Sequence, residues 1–97
     1  MDQNNLRLLR ETINRIDAEM EYLFEKRMKC AAAIAEYKHL NNIPVQDEER
    51  EQELIERNSA LVRNEAVREY YVSFLKKTID LSCAYQKTLV GKTDGTV

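Results

Sequence analysis

Turn-forming residues are nearly missing from this chain, which has two glycines and one proline in 97 residues. That scarcity disfavours a β architecture built on many tight turns and leaves long helices as the natural reading. No apolar run approaches the ~20 residues of a membrane span. The opening Met1-Asp2-Gln3-Asn4-Asn5 is polar and lacks the apolar stretch of a signal peptide, so the expected location is the cytoplasm. A basic excess is also missing. The formal charge of −2 argues against a general nucleic-acid binder. Two cysteines, Cys30 and Cys83, show no zinc-site spacing and fall in helical apolar patterns. They are expected to be buried, reduced thiols. The single histidine, His39, has no partner implied by spacing. There are no internal repeats and no low-complexity segment.

What is present is a long amphipathic pattern. Leu6, Leu9, Ile13, Ile16, Met20, Leu23, Cys30, Ile34 and Tyr37 recur at alternating three–four spacing, which marks one face of a helix. The spacing predicts a first helix from Asn4 or Asn5, either of which can cap it, to about Leu40. At ~1.5 Å per residue this is ~55 Å, longer than a compact domain of this size is wide. Such a helix cannot bury its whole seam in its own chain, and the heptad-like spacing suits packing against a second copy. Asn41-Asn42-Ile43-Pro44 breaks the helix. Asp47 then caps a second helix of roughly four turns, with Leu54, Ile55, Leu61 and Val62 as its apolar positions. Asn64 ends it or restarts the chain direction. A third helix is predicted from about Glu65 to Val90, burying Val67, Tyr71, Phe74, Leu75, Ile79, Leu81, Tyr85 and Leu89. Residues 1–90 form one all-α domain in this reading, and 91–97 a disordered tail.

Cations sit where this seam should be apolar. Arg27 occupies a position in the series where Leu or Ile is expected, and Lys38 follows on nearly the same face. The two lie ~20° apart around the helix and ~16 Å along it. A charge in a seam costs free energy unless an anion meets it, so the pair is suited to a small dianion. Arg10 is ~25 Å from Arg27, too far for one small ligand to bridge within a chain. If Arg10 serves the same site, it comes from an antiparallel copy of the helix in a second subunit. Arg50 and Glu51, beside Asp47, can together read a ligand hydroxyl. Ser82 and Gln86, four residues apart, share a face of the third helix close to its apolar stripe.

Each feature has a plainer alternative. Arg27 can be a polar layer that sets oligomer register. Lys38 can be a solvated helix end favoured by the dipole, and Arg10 a surface charge. Asp47 to Glu51 can be a capped acidic first turn, and Ser82 with Gln86 a structural pair.

Taken in order, Arg10, Arg27, Lys38, Asp47-x-x-Arg50-Glu51 and Ser82-x-x-x-Gln86 resemble the all-helical chorismate mutases. The resemblance covers about residues 6–90. It extends to Leu9-Arg10-Glu11-Thr12-Ile13, Ile16-Asp17, Lys26-Arg27-Met28, Tyr37-Lys38 and Pro44-Val45-Gln46-Asp47. It implies a three-helix protomer and an intertwined homodimer with antiparallel first helices. Each of two sites is then completed by Arg10 of the other chain. It further implies the rearrangement of chorismate to prephenate, on the route to phenylalanine and tyrosine, without metal or organic cofactor. By position, Arg10 and Arg27 hold the two carboxylates, and Lys38 contacts a carboxylate and the ether oxygen. Gln86 donates to that oxygen, Arg50 and Glu51 orient the ring hydroxyl with the backbone at Asp47, and Ser82 contacts the ring carboxylate. Ile34, Leu54, Ile79 and Cys83 are expected apolar walls. Two readings compete: an isochorismate pyruvate lyase of the same fold, and a catalytically silent helical dimerisation module.

Overall fold

The structure, a computed structural model, describes residues 2–94. Three helices follow in order: α1 (Gln3–Leu40), α2 (Glu48–Ser59) and α3 (Glu65–Asp94). Among the described residues there is no strand, and no helix is long and apolar enough to cross a membrane. α3 continues past the expected end at Val90, and residues 95–97 of the expected tail lie outside the described residues.

Each boundary has a local cause. α1 starts earlier than expected because Asp2, not Asn4 or Asn5, is its cap: the Asp2 carboxylate accepts from the Asn5 amide at 2.9 Å. At the other end Asn42 adopts φ 56°, the left-handed conformation that Asn tolerates better than most residues. There the Ile43 amide donates back to the Lys38 carbonyl (2.8 Å), and the Asn42 amide to that of His39 (3.3 Å). This is a Schellman stop, which satisfies carbonyls the ending helix leaves open. Lys38 and His39 also place basic groups in the last turn. α2 begins as expected at Asp47, whose side chain accepts from the Arg50 amide at 3.0 Å. Asn64 opens α3, its side chain accepting from the Ala66 amide at 3.0 Å.

The chain divides into two compact units, one up to Cys30 and the other from Ala31 onward. In the first, the apolar seam of α1 is uncovered: Leu6, Leu9, Ile13, Ile16, Met20 and Leu23 are all exposed. Glu21 there titrates above the ordinary carboxylate range, because it shares a hydrogen bond with Glu25, is partly desolvated, and is repelled by Glu25's charge.

In the second unit the core is small, and α3 meets α1 through the Gln86 side chain, which bonds the Ala31 carbonyl. Ala31 and Ala35 of α1 are buried, Ala35 to 1% exposure, as are Leu75, Ile79, Ser82 and Gln86 of α3. Those four positions of α3 advance by four, three and four residues and so form one helical face. The apolar face expected for α3 is partly displaced. Leu75 and Ile79 are buried, but Val67, Phe74, Leu81 and Tyr85 are exposed, and two polar residues complete the buried stripe instead. Leu61 is also exposed, as is Ile34. Cys30 is exposed and Cys83 half-buried, both as free thiols, which corrects the expectation that Cys30 is buried.

Arg68 fastens the turn between α2 and α3. Its guanidinium donates to the Ser59 carbonyl at 3.1 Å and the Val62 carbonyl at 2.5 Å, and pairs with Glu65. Charged donors on carbonyls left open at a helix end are worth more than neutral ones. Arg68→Ala should therefore lower unfolding stability by about 1–2 kcal/mol in urea titrations. An unchanged midpoint would show that the clamp is idle in solution.

Candidate functional site

The predicted residues divide between the two units. Arg10 and Arg27 belong to the first, where Arg10 is exposed and Arg27 half-buried. Lys38, Asp47, Arg50, Glu51, Ser82 and Gln86 belong to the second.

Gln86 is the best-defined of them. It is 9% exposed, and its Nε2 donates to the Ala31 carbonyl oxygen at 2.9 Å. A carbonyl can only accept, so this bond fixes which end of the amide meets α1. A carboxamide nitrogen carries two protons, and the Ala31 bond uses one. Gln86 thus retains a second donor whose direction is set by the backbone of a neighbouring helix. One turn earlier Ser82 is 7% exposed and its Oγ donates to the Thr78 carbonyl at 2.9 Å. That bond is local to α3.

Lys38 lies on the α1 face that carries these contacts. Ala31, Ala35 and Lys38 follow one another by four and three residues, so all three turn to one side of the helix. Lys38 is ~10 Å along the axis from Ala31. Its ammonium is half-buried and donates to the Val45 carbonyl at 2.9 Å, in the connection that leads into α2. Asp47 then caps α2, and Arg50 and Glu51 occupy its first turn, where free amides and the helix dipole favour negative charge. The Asp47 carbonyl accepts from the Glu51 amide at 3.0 Å.

Arg50 and Glu51 do not act as a pair here. Arg50 bonds Glu53 at 2.9 Å, and Glu53 also takes Arg57 at 3.3 Å. Consecutive helical residues point ~100° apart, which turns Glu51 inward to half-burial and leaves Arg50 on the exposed side. Of the expected walls in this unit, Ile79 is buried, Leu54 and Cys83 are half-buried, and Ile34 is exposed.

Sequence reasoning overlooked the partners that hold these groups. The carbonyls of Ala31 and Val45 are main-chain atoms, which carry no side-chain signal. The alanines at 31 and 35 were readable in principle, since small residues on one helix face allow a second helix to approach closely. Among the described residues, no group of three or more His, Cys, Asp or Glu is arranged to hold a metal ion.

Over 91 residues, 93% of its length, the chain is 36% identical to a bifunctional chorismate mutase/prephenate dehydratase of Buchnera aphidicola subsp. Schizaphis graminum. It spans about a quarter of that relative, 24% of its length. No solved structure matches the chain. Residues 9–87 match the family described as chorismate mutase type II, a span that takes in every candidate residue from Arg10 to Gln86. The chain belongs to the chorismate mutase type II family, a family of isomerases.

Proposed function

We propose that this chain converts chorismate to prephenate, and that Lys38 and Gln86 act on the ether oxygen whose bond to carbon breaks. The observation that carries the reading is the Gln86 amide, buried, anchored on Ala31, and left with one donor to spare. The rearrangement is intramolecular. It needs neither a nucleophile nor a proton shuttle, only a compact substrate conformer and donors where negative charge grows. Cations on the two substrate carboxylates supply the conformer by removing rotational freedom from a flexible side chain. Donors fixed before substrate arrives favour the transition state over the ground state, because they need no reorganisation when charge develops.

In this reading Arg27 and Arg10 hold the carboxylates, with Arg10 supplied by a second copy of the chain. The uncovered seam of α1 from Leu6 to Leu23 supports that homodimer, since a helix with its apolar stripe in water lacks the burial that stabilises most helices. Glu51 accepts from the ring hydroxyl. Arg50 exchanges Glu53 for the ligand, a small loss because exposed ion pairs contribute little. Ser82 meets the ring carboxylate.

Loss of chorismate absorbance on mixing with purified protein, with the product identified, tests this directly. Prephenate supports it. Salicylate from isochorismate points to the lyase, and no turnover by a folded dimer points to a silent module.

The anchored amide also sets a pH behaviour. Gln86 carries no titrating proton, so it contributes no acid-dependent limb to the rate. Gln86→Glu places a carboxyl against the Ala31 carbonyl, where only the protonated form can donate. Burial and that carbonyl raise its pKa, so the variant should lose rate as pH rises while the parent does not. Matching kcat/KM profiles for the two proteins would remove Gln86 from the donor role.

A further inference from the structure

The segment between α1 and α2 bends back on Lys38 twice. The main-chain carbonyl of Lys38 accepts from the Ile43 amide at 2.8 Å, and its ammonium donates to the Val45 carbonyl at 2.9 Å. The reversal that permits both is Asn42, at φ 56°. Asn42 is exposed, and its amide bonds the His39 carbonyl, so it makes the turn rather than touching any ligand group. One residue's conformation therefore decides where an acceptor for the Lys38 ammonium stands.

The donor count gives this contact a meaning. A lysine ammonium has three protons and no lone pair. With one committed to Val45, two remain, and the proposed reaction asks Lys38 for two bonds, to a carboxylate and to the ether oxygen. A free ammonium on a four-carbon stem rotates and sweeps a large volume, at a cost in entropy when it is ordered. The Val45 carbonyl removes that freedom before substrate arrives.

We infer that Asn42 is a positioning residue for the reaction: its left-handed turn places the Val45 carbonyl that orients the Lys38 ammonium, so that two protons face the substrate. The inference rests on the chorismate mutase reading for its kinetic consequence, though not for the Lys38–Val45 bond itself.

Two substitutions separate this role from mere loop stability. Glycine adopts the left-handed conformation without penalty, whereas a β-branched side chain strongly resists it. Asn42→Gly should keep kcat within about two-fold of the parent. Asn42→Val should lower kcat about ten-fold or more with KM little changed, because a small misplacement of a reacting group weakens the transition state more than binding. Competitive acetylation followed by mass spectrometry reads the ammonium independently of turnover, with Lys76 and Lys77 as internal references. Lys38 should become several-fold more reactive in Asn42→Val and stay at the parental level in Asn42→Gly. Circular dichroism checks that both fold, and Asn42→Ala replaces Asn42→Val if that variant does not.

Equal kcat values in the Gly and Val variants overturn the inference, as does Lys38 labelling that ignores the substitution. If the parent protein does not rearrange chorismate, the functional reading has failed. The labelling result then decides alone whether Asn42 positions Lys38.

Discussion

Lys38→Ala should reduce chorismate turnover by about 10³-fold or more while leaving a folded protein, as measured by initial rates beside circular dichroism and sedimentation. The size follows from what is removed. Loss of one neutral donor at a site of developing negative charge typically costs about 10²–10³ in rate. Lys38 is a charged donor and, in the proposed reaction, serves two acceptors at once. Its removal takes away both the clamp on a carboxylate and the stabilisation of the ether oxygen. The loss should fall chiefly on kcat, because the ether oxygen gains its charge only in the transition state. The folding consequence is minor. The Val45 carbonyl loses a partner in a half-buried setting where water can replace it, and the Schellman stop uses only the main chain of Lys38. A rate near that of the parent would show that the cation serves the fold and not the chemistry.

The second large effect concerns Arg10. Arg10→Ala alone should inactivate the enzyme, and so should Lys38→Ala alone. Mixing the two inactive proteins under conditions that exchange subunits should restore about a quarter of the parental activity, the statistical yield for sites shared across a two-fold axis. Half of the dimers are then mixed. Each mixed dimer has one site with both residues intact and one with neither. Recovery requires that Arg10 and Lys38 of one site come from different chains, so activity that stays at zero in verified mixed dimers would place both in the same chain. Simple loss of activity in Arg10→Ala would not separate those cases, which makes the mixture the informative measurement.

How much could be read from residues alone depended on whether the deciding atom was a side chain. Asp47 as the cap of α2 was legible, because a short acidic side chain before an acidic turn has few other uses. The end of α1 was legible from Asn41 to Pro44. The start was not: Asp2, Asn4 and Asn5 are all competent caps, and the carboxylate of Asp2 is the one that engages a free amide. The face of α3 was the largest miss. Its apolar residues are distributed around the helix, so Val67, Phe74, Leu81 and Tyr85 suggested burial where the chain leaves them exposed. The stripe that is buried includes Ser82 and Gln86, which an apolar periodicity cannot find. Polar residues in a core stripe mark the place where local rules are set aside, and such places are often sites. Arg50 and Glu51 were legible as a motif. Their separation into an outward cation and an inward carboxylate follows from helical geometry, which adjacency in the sequence conceals.

The near-total burial of Ala35 has a further consequence. Close-packed contacts have little slack, and side chains enlarged by even a methylene force neighbours to shift. On the α1 face that carries the Gln86 anchor, a larger side chain at 31 or 35 would act as a spacer and move the Ala31 carbonyl relative to the carboxamide that donates to it. The calibration of this face thus resides in atoms it does without. A survey that scores only reactive groups would pass over the two methyls that set its dimensions.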